Sequence, residues 1–300
     1  MDATEPVSDP VGDPANDPSN EPVSAPVNDE SRAARRAVRD ERRRNPILPP
    51  IATERRLTLV LATAVFALLL ALATVADQAL GAAAVAWGGL VLAWGWPELL
   101  GSSSKFGSSL AIGLAGVLAP ATVALTSEEP YLRHVPVVMA LALLAMFLHQ
   151  LLRRDGRPRL TQSVTVSAAG IAIATIGAAY VPLGRTFGGH EVVIVVAVAL
   201  ALSAVADLGA PFRRARPWML PAAGAIGLAA GGVAGLFVEV VGGPSGALLG
   251  AVVGILAHVM RRALCTLSPI RGMRGQITAA AASVLVTAVP VYLLSRILVG

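Results

Sequence analysis

Cysteine and lysine are almost absent from this chain of 300 residues, since Cys265 and Lys105 are the only examples. A single thiol cannot form an internal disulfide, and no cysteine–histidine cluster has the spacing of a zinc site. We therefore interpret Cys265 as a small apolar residue at the end of a helix. Arginine outnumbers lysine 23 to 1, which is typical of a GC-rich bacterial genome.

Charged residues are also scarce. They make up 14% of the chain, whereas hydrophobic residues make up 55%, and soluble domains are about one quarter charged. The net charge of +5 could indicate a nucleic-acid partner, but the basic residues are dispersed between apolar runs and do not form one basic face. This composition predicts an integral membrane protein that does not bind nucleic acid.

Several site types have no candidate in the sequence. There is no phosphate-binding loop of the P-loop type, no supported Ser-His-Asp arrangement and no pair of metal ligands on one helical face. No helix centre carries a series of acidic residues suited to proton or sodium coupling, which argues against a secondary transporter. We predict no catalytic residue, metal or cofactor, while a neutral facilitator or transport subunit stays open.

Residues 1–30 carry eight acidic residues and no basic ones, with proline at every fourth position from Pro6 to Pro26. Proline at this density excludes a helix, and the acidic, weakly apolar composition cannot bury a core. We predict a disordered tail, which either solvates the chain or docks on a basic partner.

Residues 31–56 reverse the charge, with nine arginines from Arg32 to Arg56. Such a segment stays in the cytoplasm and attracts anionic lipid by ~1 kcal/mol per residue near the surface. The apolar region, 57–300, then begins at Leu57, too late for a cleavable signal peptide, so we expect its first helix to act as an uncleaved insertion signal.

Nine apolar segments follow, each close to the ~20 residues that cross a bilayer. They predict an all-α, polytopic bundle with about nine spanning helices. The predicted spans are 57–76, 79–97, 109–126, 134–152, 163–183, 191–208, 218–240, 245–262 and 276–297.

Arginine placement orients these spans. Of the 24 Lys and Arg residues, all but Arg133, Arg185 and Arg296 fall in segments on one side of the membrane. Short loops rich in Lys and Arg stay cytoplasmic. We therefore predict a multi-pass protein of the bacterial inner (plasma) membrane, with its N-terminus in the cytoplasm and its C-terminus outside.

Glycine recurs at every fourth position in the seventh and eighth spans. Such stripes of small residues let helix backbones approach closely within lipid, so we expect these two helices to pack together, within one protomer or across a homodimer. The residues are Gly227, Gly231 and Gly235, then Gly246, Gly250 and Gly254.

Ionisable residues within the spans are functional candidates, because charge is costly there. The few present lie near helix ends, where water can reach them. At the predicted cytoplasmic ends these are Glu98, His149, Asp207 and His258, and at the outer ends His190, Glu191 and Glu239.

Residues 134–298 resemble the bacterial CDP-diacylglycerol synthase (phosphatidate cytidylyltransferase) family. Five short segments come in the family's order. Residues 176–182 resemble a helix with a Tyr-Val-Pro-like turn, and 206–211 resemble the family's S-D-T-G-A-Y. Residues 246–250 resemble a Gly-rich helix that ends in Arg261 and Arg262, 272–275 replace P-G-H-G-G, and 288–294 resemble the closing A-A-P-V-x-Y-L-L.

The departures fall where the family performs its chemistry. Its members transfer a cytidylyl group from CTP to phosphatidate with divalent metal held by carboxylates. The family's acidic signature before K-R appears here as residues 254–258, which contain no carboxylate. The family's closing D-R-x-D appears here as four alanines, 279–282. Of the family's acidic positions, Asp207 alone stays in a recognisable motif. Because Mg²⁺ needs hard oxygen ligands, the resemblance implies a lipid-synthase-like scaffold that lacks the catalysis.

We therefore predict a non-catalytic protein that binds or organises anionic lipid, or a lipid-handling partner, from the cytoplasmic face. An active phosphatidate cytidylyltransferase and a facilitator are the alternatives. If the scaffold is retained, Asp207, Arg261 and the 271–275 loop should face one cavity. The fork of arginine suits phosphate head groups, and the predicted site residues are Asp207, Arg213, Arg214, Arg216, His258, Arg261 and Arg262.

Overall fold

The computed structural model describes residues 56–152, 160–212 and 214–300. The segment from Pro49 to Gly300 is one compact unit. Residues 1–30 and all of 31–56 except Arg56 lie outside the described residues, so the predictions for those two segments stay predictions. Arg213 and the arginines of 153–159 lie outside them too.

The described part of the chain is helical and contains no strand. Its α-helices are α1 Leu57–Ala76, α2 Gln78–Leu99, α3 Lys105–Leu125, α4 Val135–Leu152, α5 Leu160–Gly177, α6 Gly189–Ser203, α7 Met219–Leu236, α8 Gly243–Leu264, α9 Met273–Leu285 and α10 Ala288–Leu298.

These helices form nine segments, within the described ranges, that are long and apolar enough to cross a membrane. 3₁₀ turns extend three of them: Ala178–Gly184 continues α5, Ala204–Gly209 continues α6 and Arg216–Trp218 precedes α7. The predicted all-α polytopic bundle is confirmed, and the chain is an integral membrane protein.

The tightest turn joins α1 to α2. Asp77 alone separates the two helices, and its Oδ1 accepts the backbone N–H of Ala79 at 2.7 Å and that of Leu80 at 3.3 Å. A carboxylate at this position satisfies amides that the first turn of a helix leaves without partners. One residue is therefore enough to reverse the chain.

Two predicted spans differ from the structure. The seventh ends at Leu236 and not at 240, and the chain then turns into α8 through Gly242, whose φ of 72° an L side chain rarely adopts. The ninth is confirmed as one apolar segment, Met273–Leu298, but it consists of two helices, α9 and α10. Pro290 lies in the first turn of α10 and has no N–H for the carbonyl of Val286, which lies in the break.

The glycine stripes of α7 and α8 face each other at backbone contact. A Cβ atom on Gly231 would lie 2.2 Å from the carbonyl oxygen of Gly246, and one on Gly227 would lie 2.3 Å from that of Gly250. Gly235 and Gly254 are equally constrained, by backbone oxygens of Gly242 and Ala223. Only glycine fits along this contact between α7 and α8, which we call the glycine seam and which lies within one protomer.

A second glycine contact, between α2 and α3, was not predicted. A Cβ atom on Gly89 would lie 2.6 Å from the Cα of Gly116. Neither helix has glycine at every fourth position, so the period that identified α7 and α8 is missing here. The same packing rule applies nonetheless.

Candidate functional site

Asp207 lies in the 3₁₀ turn that continues α6, with 1% of its surface exposed. Its two carboxylate oxygens face α8. Oδ2 accepts the Nε–H of Arg261, and Oδ1 lies 2.9 Å from Nδ1 of His258. His258 and Arg261 are three residues apart, so they project from the same face of α8. The structure thus joins three of the predicted site residues.

Several polar atoms of this cluster of Asp207, His258 and Arg261 have no hydrogen-bond partner among the described residues. Both terminal nitrogens of Arg261, Nη1 and Nη2, and Nε2 of His258 are buried without a hydrogen-bond partner among the described residues. A buried donor without a partner costs about 1–3 kcal/mol, and more when it is charged. Buried polar groups of this kind are normally satisfied by ordered water or by a ligand.

A small cavity opens beside Asp207 where four helix ends meet. Its volume is about 30 Å³, enough for a single water molecule. We call it the arginine cavity. It is lined by Arg56 before α1, Asp207 and Ala210 after α6, Arg216 and Met219 at the start of α7, and Arg262 and Cys265 at the end of α8.

Among the described residues, the lining of the arginine cavity contains three arginines, Arg56, Arg216 and Arg262, and one carboxylate, that of Asp207. That carboxylate already pairs with Arg261. Arg56 is buried, Arg216 is half-buried and Arg262 is exposed. Such an arrangement attracts an anion that approaches from the surface.

Local backbone structure holds Arg216 in place. The 3₁₀ turn Arg216–Trp218 has Pro217 at its start, and Nε of Arg216 donates to the carbonyl of Ala210 at 3.1 Å. That bond uses one guanidinium donor and fixes the plane of the group. The two terminal nitrogens can then bind two oxygens of one phosphate.

Cys265, at the end of α8, also lines the cavity and is buried. Burial raises the pKa of its thiol to about 11, although the nearby Arg56 guanidinium favours the thiolate and opposes the shift. The thiol is therefore neutral at physiological pH. It adds no negative charge to the cavity.

The remaining predicted site residues lie elsewhere. Arg214 is exposed and is not among the residues that line the cavity, and Arg213 lies outside the described residues. Residues 271–275, predicted as a loop, are the end of the 3₁₀ turn Ser268–Arg271 and the start of α9, and they are not among the described residues that line the cavity. Arg274, in the first turn of α9, forms an ion pair of 2.6 Å with Glu98 and lies over the ring of Trp94. Asp207 and Arg261 contact each other as expected, but neither Arg261 nor residues 271–275 line the cavity with Asp207.

Arg56 was missed as a site residue. Its place among nine N-terminal arginines indicated only an orienting role. In the structure it lies directly before α1 and is 5% exposed. The signal that could have singled it out is its position as the last charged residue before an apolar run, where a long side chain can fold back beneath the helix.

A buried hydroxyl network was also missed. Ser102 and Ser108 lie 3.0 Å apart, Ser167 donates to Ser108 at 2.7 Å, and Gln150 donates to Ser163 at 2.9 Å. These bonds join the α2–α3 loop to α3, α4 and α5. Interhelical hydrogen bonds of this kind hold membrane helices together, so the network has a structural role. Serine at 163 and 167, one helical turn apart, was the available signal.

No group of three or more His, Cys, Asp or Glu residues within the described ranges is placed to hold a metal ion. The glycine seam between α7 and α8 is closed by backbone contacts, so it does not line a water-filled path. This finding counts against a facilitator that conducts between those two helices.

No protein-family model, curated protein or solved structure matches this chain.

Proposed function

We propose that the protein binds the phosphate group of an anionic lipid at the mouth of the arginine cavity, at the cytoplasmic surface of the bacterial inner (plasma) membrane. The observation that carries the proposal is that the half-buried Arg216 and the exposed Arg262 line the cavity beside Asp207, whose carboxylate is already paired with Arg261. On this proposal the chain retains a scaffold similar to the CDP-diacylglycerol synthases and uses it without their catalysis.

The electrostatic energies favour a phosphate-binding site over arginines that only orient the chain in the membrane. An exposed arginine attracts anionic lipid by ~1 kcal/mol. Within a partly buried site, a guanidinium and a phosphate at ~4 Å attract each other by about 4 kcal/mol at an effective dielectric constant near 20, before desolvation is subtracted. Two guanidinium groups that line one cavity, those of Arg216 and Arg262, therefore hold one phosphate more strongly than the same arginines do when they are dispersed.

The experiment measures which lipids stay with the purified full-length chain. Arg216→Gln combined with Arg262→Gln should lower the retained phosphatidate by at least about tenfold, since ~1.4 kcal/mol is enough for that change. Arg261 is unsuitable for this test, because its replacement would leave Asp207 buried without its partner. Arg271→Gln, at an exposed arginine outside the cavity lining, is the matched control. Equal retention in all three proteins would overturn the proposal.

The enzyme alternative is decided separately. Asp207 is the one carboxylate among the described residues that line the arginine cavity, and its two oxygens lie against Arg261 and His258. Transfer of a cytidylyl group would require further oxygen ligands for Mg²⁺. We expect purified protein given CTP, Mg²⁺ and phosphatidate to form no CDP-diacylglycerol. Formation of that product would replace a binding role with catalysis.

Three further partners stay predictions. A homodimer and a basic partner for residues 1–30 follow from the sequence patterns alone. A lipid-handling protein that docks at the cytoplasmic face is compatible with the exposed Arg214 and Arg262. Cross-linking in native membranes would reveal a second copy or another chain.

A further inference from the structure

Two aromatic side chains lie exposed on the connection between α6 and α7. Phe212 is 62% exposed and Trp218 is 70% exposed, although large apolar groups are costly to leave in water. Between them in the chain lie the exposed Arg214 and the half-buried Arg216, which lines the arginine cavity. We call Phe212, Arg214, Arg216 and Trp218 the interfacial surface. Aromatic and basic side chains together are typical of a segment at the boundary between lipid and water.

The connection is too short to leave the bilayer. The two apolar segments that it joins are Gly189–Gly209 and Arg216–Leu236, so six residues separate them. Those residues are folded into turns, because the N–H of Phe212 and that of Ala215 each bond the carbonyl three residues before, at 3.0 Å. A chain that turns in this way gains little height above the ends of the spans.

The thickness of the head-group layer then gives the depth of the two rings. The layer adds ~5–8 Å to each side of the hydrocarbon core. At a rise of ~2 Å per residue in turns of this kind, three residues out and three back reach about 6 Å above the ends of the spans. Phe212 therefore lies within the head-group layer. Trp218 is the third residue of its own apolar segment, so it lies no farther from the hydrocarbon core.

The same geometry places two arginines at the level of the lipid phosphates. Arg216 begins the second apolar segment, and its Nε donates to the carbonyl of Ala210, which holds it against the connection. Arg262 lies in the last turn of α8 and lines the same cavity as Arg216. Because a space of about 30 Å³ holds one water molecule, a phosphate binds at the mouth of the cavity, beside the surrounding leaflet.

We propose that Phe212 and Trp218 seat the α6–α7 connection in the cytoplasmic head-group layer, and that the phosphate at the cavity mouth arrives sideways from this leaflet, still attached to its lipid. The partner of the interfacial surface is thus the anionic bilayer itself. This inference rests on the proposed phosphate-binding function and adds the source of the phosphate.

A water-soluble phosphate ester is a poor ligand for the same place. Two guanidinium groups at a wet surface attract it by ~1 kcal/mol each. A lipid is already held at that depth by its acyl chains, so the effective concentration of its phosphate beside Arg216 and Arg262 is high. The aromatic rings keep the two arginines at this level.

Fluorescence quenching measures the depth of Trp218. The full-length chain is reconstituted in nanodiscs whose lipids carry bromine either near the head group or near the end of one acyl chain. The contribution of Trp218 is the difference between wild type and Trp218→Phe, and we expect the shallow bromine to remove more of it than the deep bromine does. A contribution that acrylamide in the water quenches and neither lipid quenches would overturn the inference, as would stronger quenching by the deep bromine.

Trp87 is the matched control for depth. It is 59% exposed and lies near the middle of α2, which spans Gln78–Leu99. Its contribution, the difference between wild type and Trp87→Phe, should show the opposite order of quenching by the two lipids.

Lipid retention tests the aromatic seat. Phe212→Ser combined with Trp218→Ser leaves Arg216 and Arg262 in place. We expect it to lower the retained phosphatidate by about fivefold, because an arginine that leaves the phosphate level loses ~1 kcal/mol of attraction. Phe212→Trp combined with Trp218→Phe keeps both rings and should retain as much as wild type. Phe237→Ser, at an 85% exposed aromatic residue beyond the other end of α7, is the matched control. Equal retention in all these proteins would overturn the inference.

Competition distinguishes the two sources of phosphate. Glycerol 3-phosphate has the head group of phosphatidate without its acyl chains, and we expect it not to displace dioleoyl phosphatidate from the reconstituted chain. Displacement would overturn entry from the leaflet.

The two proposals fail in different ways. If Arg216→Gln with Arg262→Gln leaves phosphatidate retention unchanged while Trp218 is quenched at the head-group level, the phosphate site is overturned and the depth of the connection stands. If those substitutions lower retention while neither brominated lipid quenches Trp218, the phosphate site stands and the seat of the connection in the leaflet is overturned.

Discussion

Asp207 and Arg261 form an ion pair that joins the turn after α6 to the last turn of α8, and neither side chain is more than 2% exposed. Charges in such a place are costly to desolvate, and their mutual attraction barely offsets that cost. The pair therefore adds little to the free energy of unfolding, but it strongly restricts which single substitutions the two positions tolerate. Either partner left alone is a buried, uncompensated charge.

A double-mutant comparison tests this constraint. Asp207→Leu leaves the guanidinium of Arg261 buried without a carboxylate, and we expect it to lower the free energy of unfolding by about 3–5 kcal/mol. Asp207→Leu combined with Arg261→Met replaces both charges with apolar groups and should recover most of that loss. Thermal unfolding in mild detergent provides the measurement. A double variant no more stable than Asp207→Leu would show that the ion pair itself stabilises the fold.

The glycine seam between α7 and α8 gives a second prediction, which concerns the packing of these two helices. Gly231→Ala places a Cβ atom 2.2 Å from the Gly246 carbonyl oxygen, and backbone cannot move aside as a side chain can. We expect α7 and α8 to separate, with a loss of at least about 1–3 kcal/mol, the usual cost of overpacking. Gly113→Ala is the control, because its nearest neighbour, Ala93 Cβ, lies at an ordinary 3.6 Å. Equal unfolding temperatures for the two variants would contradict the observed seam.

These seams show what the sequence could and could not reveal. A strict four-residue glycine period identifies α7 and α8, because one helical turn is close to four residues. The contact of Gly89 with Gly116 follows the same physics without that period, so it escaped notice. Hydropathy likewise locates every span to within a few residues, but it cannot detect the break at 286–287, because the apolar run continues through it.

The candidate site was predictable only in part. The local motif around Asp207 and the Arg261–Arg262 pair at the end of a helix were visible separately, and their resemblance to a family predicted that they meet. Arg56 could not be assigned, since only tertiary structure brings the start of α1 against the ends of α6 and α8. The serine network was missed because neutral hydroxyls give neither a charge signal nor a hydropathy signal.

The thiol of Cys265 should be inert at neutral pH. Because its pKa in the folded chain is raised to about 11, above the ordinary value, the neutral thiol favours the folded state. This contribution to the free energy of unfolding is complete at pH values below the pKa of the thiol in the unfolded chain, and it is lost as the pH rises toward 11. We expect slow maleimide labelling of the native protein at pH 7 and rapid labelling after unfolding in SDS. Rapid labelling of native protein would show that water and reagent enter the arginine cavity.

The loss of folding stability at alkaline pH should depend partly on the Cys265 thiol. Cys265→Ala removes the titrating group and should reduce the loss of unfolding free energy between pH 9 and 11 relative to wild type, since burial is the main cause of the shift. An identical pH dependence in the two proteins would mean that other groups dominate.

Topology is the prediction on which the cytoplasmic position of the arginine cavity depends. Two of the three exceptions to the charge rule have local partners: Arg185 donates to the backbone oxygens of Ala124 and Thr126, and Arg296 pairs with Glu129 at 3.0 Å. Orientation follows the basic loops, so the start of α1 and the α6–α7 connection should face the cytoplasm.

Reporter fusions can decide this point. A phosphatase fused after residue 300 should be active outside the cytoplasm, whereas the same enzyme inserted after residue 214 should be inactive. A cytoplasmic fluorescent reporter should show the reverse pattern at both sites. The nine spans in the described part of the chain are an odd number, so the two ends of the spanning region lie on opposite sides. Activity of one reporter at both positions would contradict this layout and remove the arginine cavity from the cytoplasmic surface, where a phosphate head group has to enter.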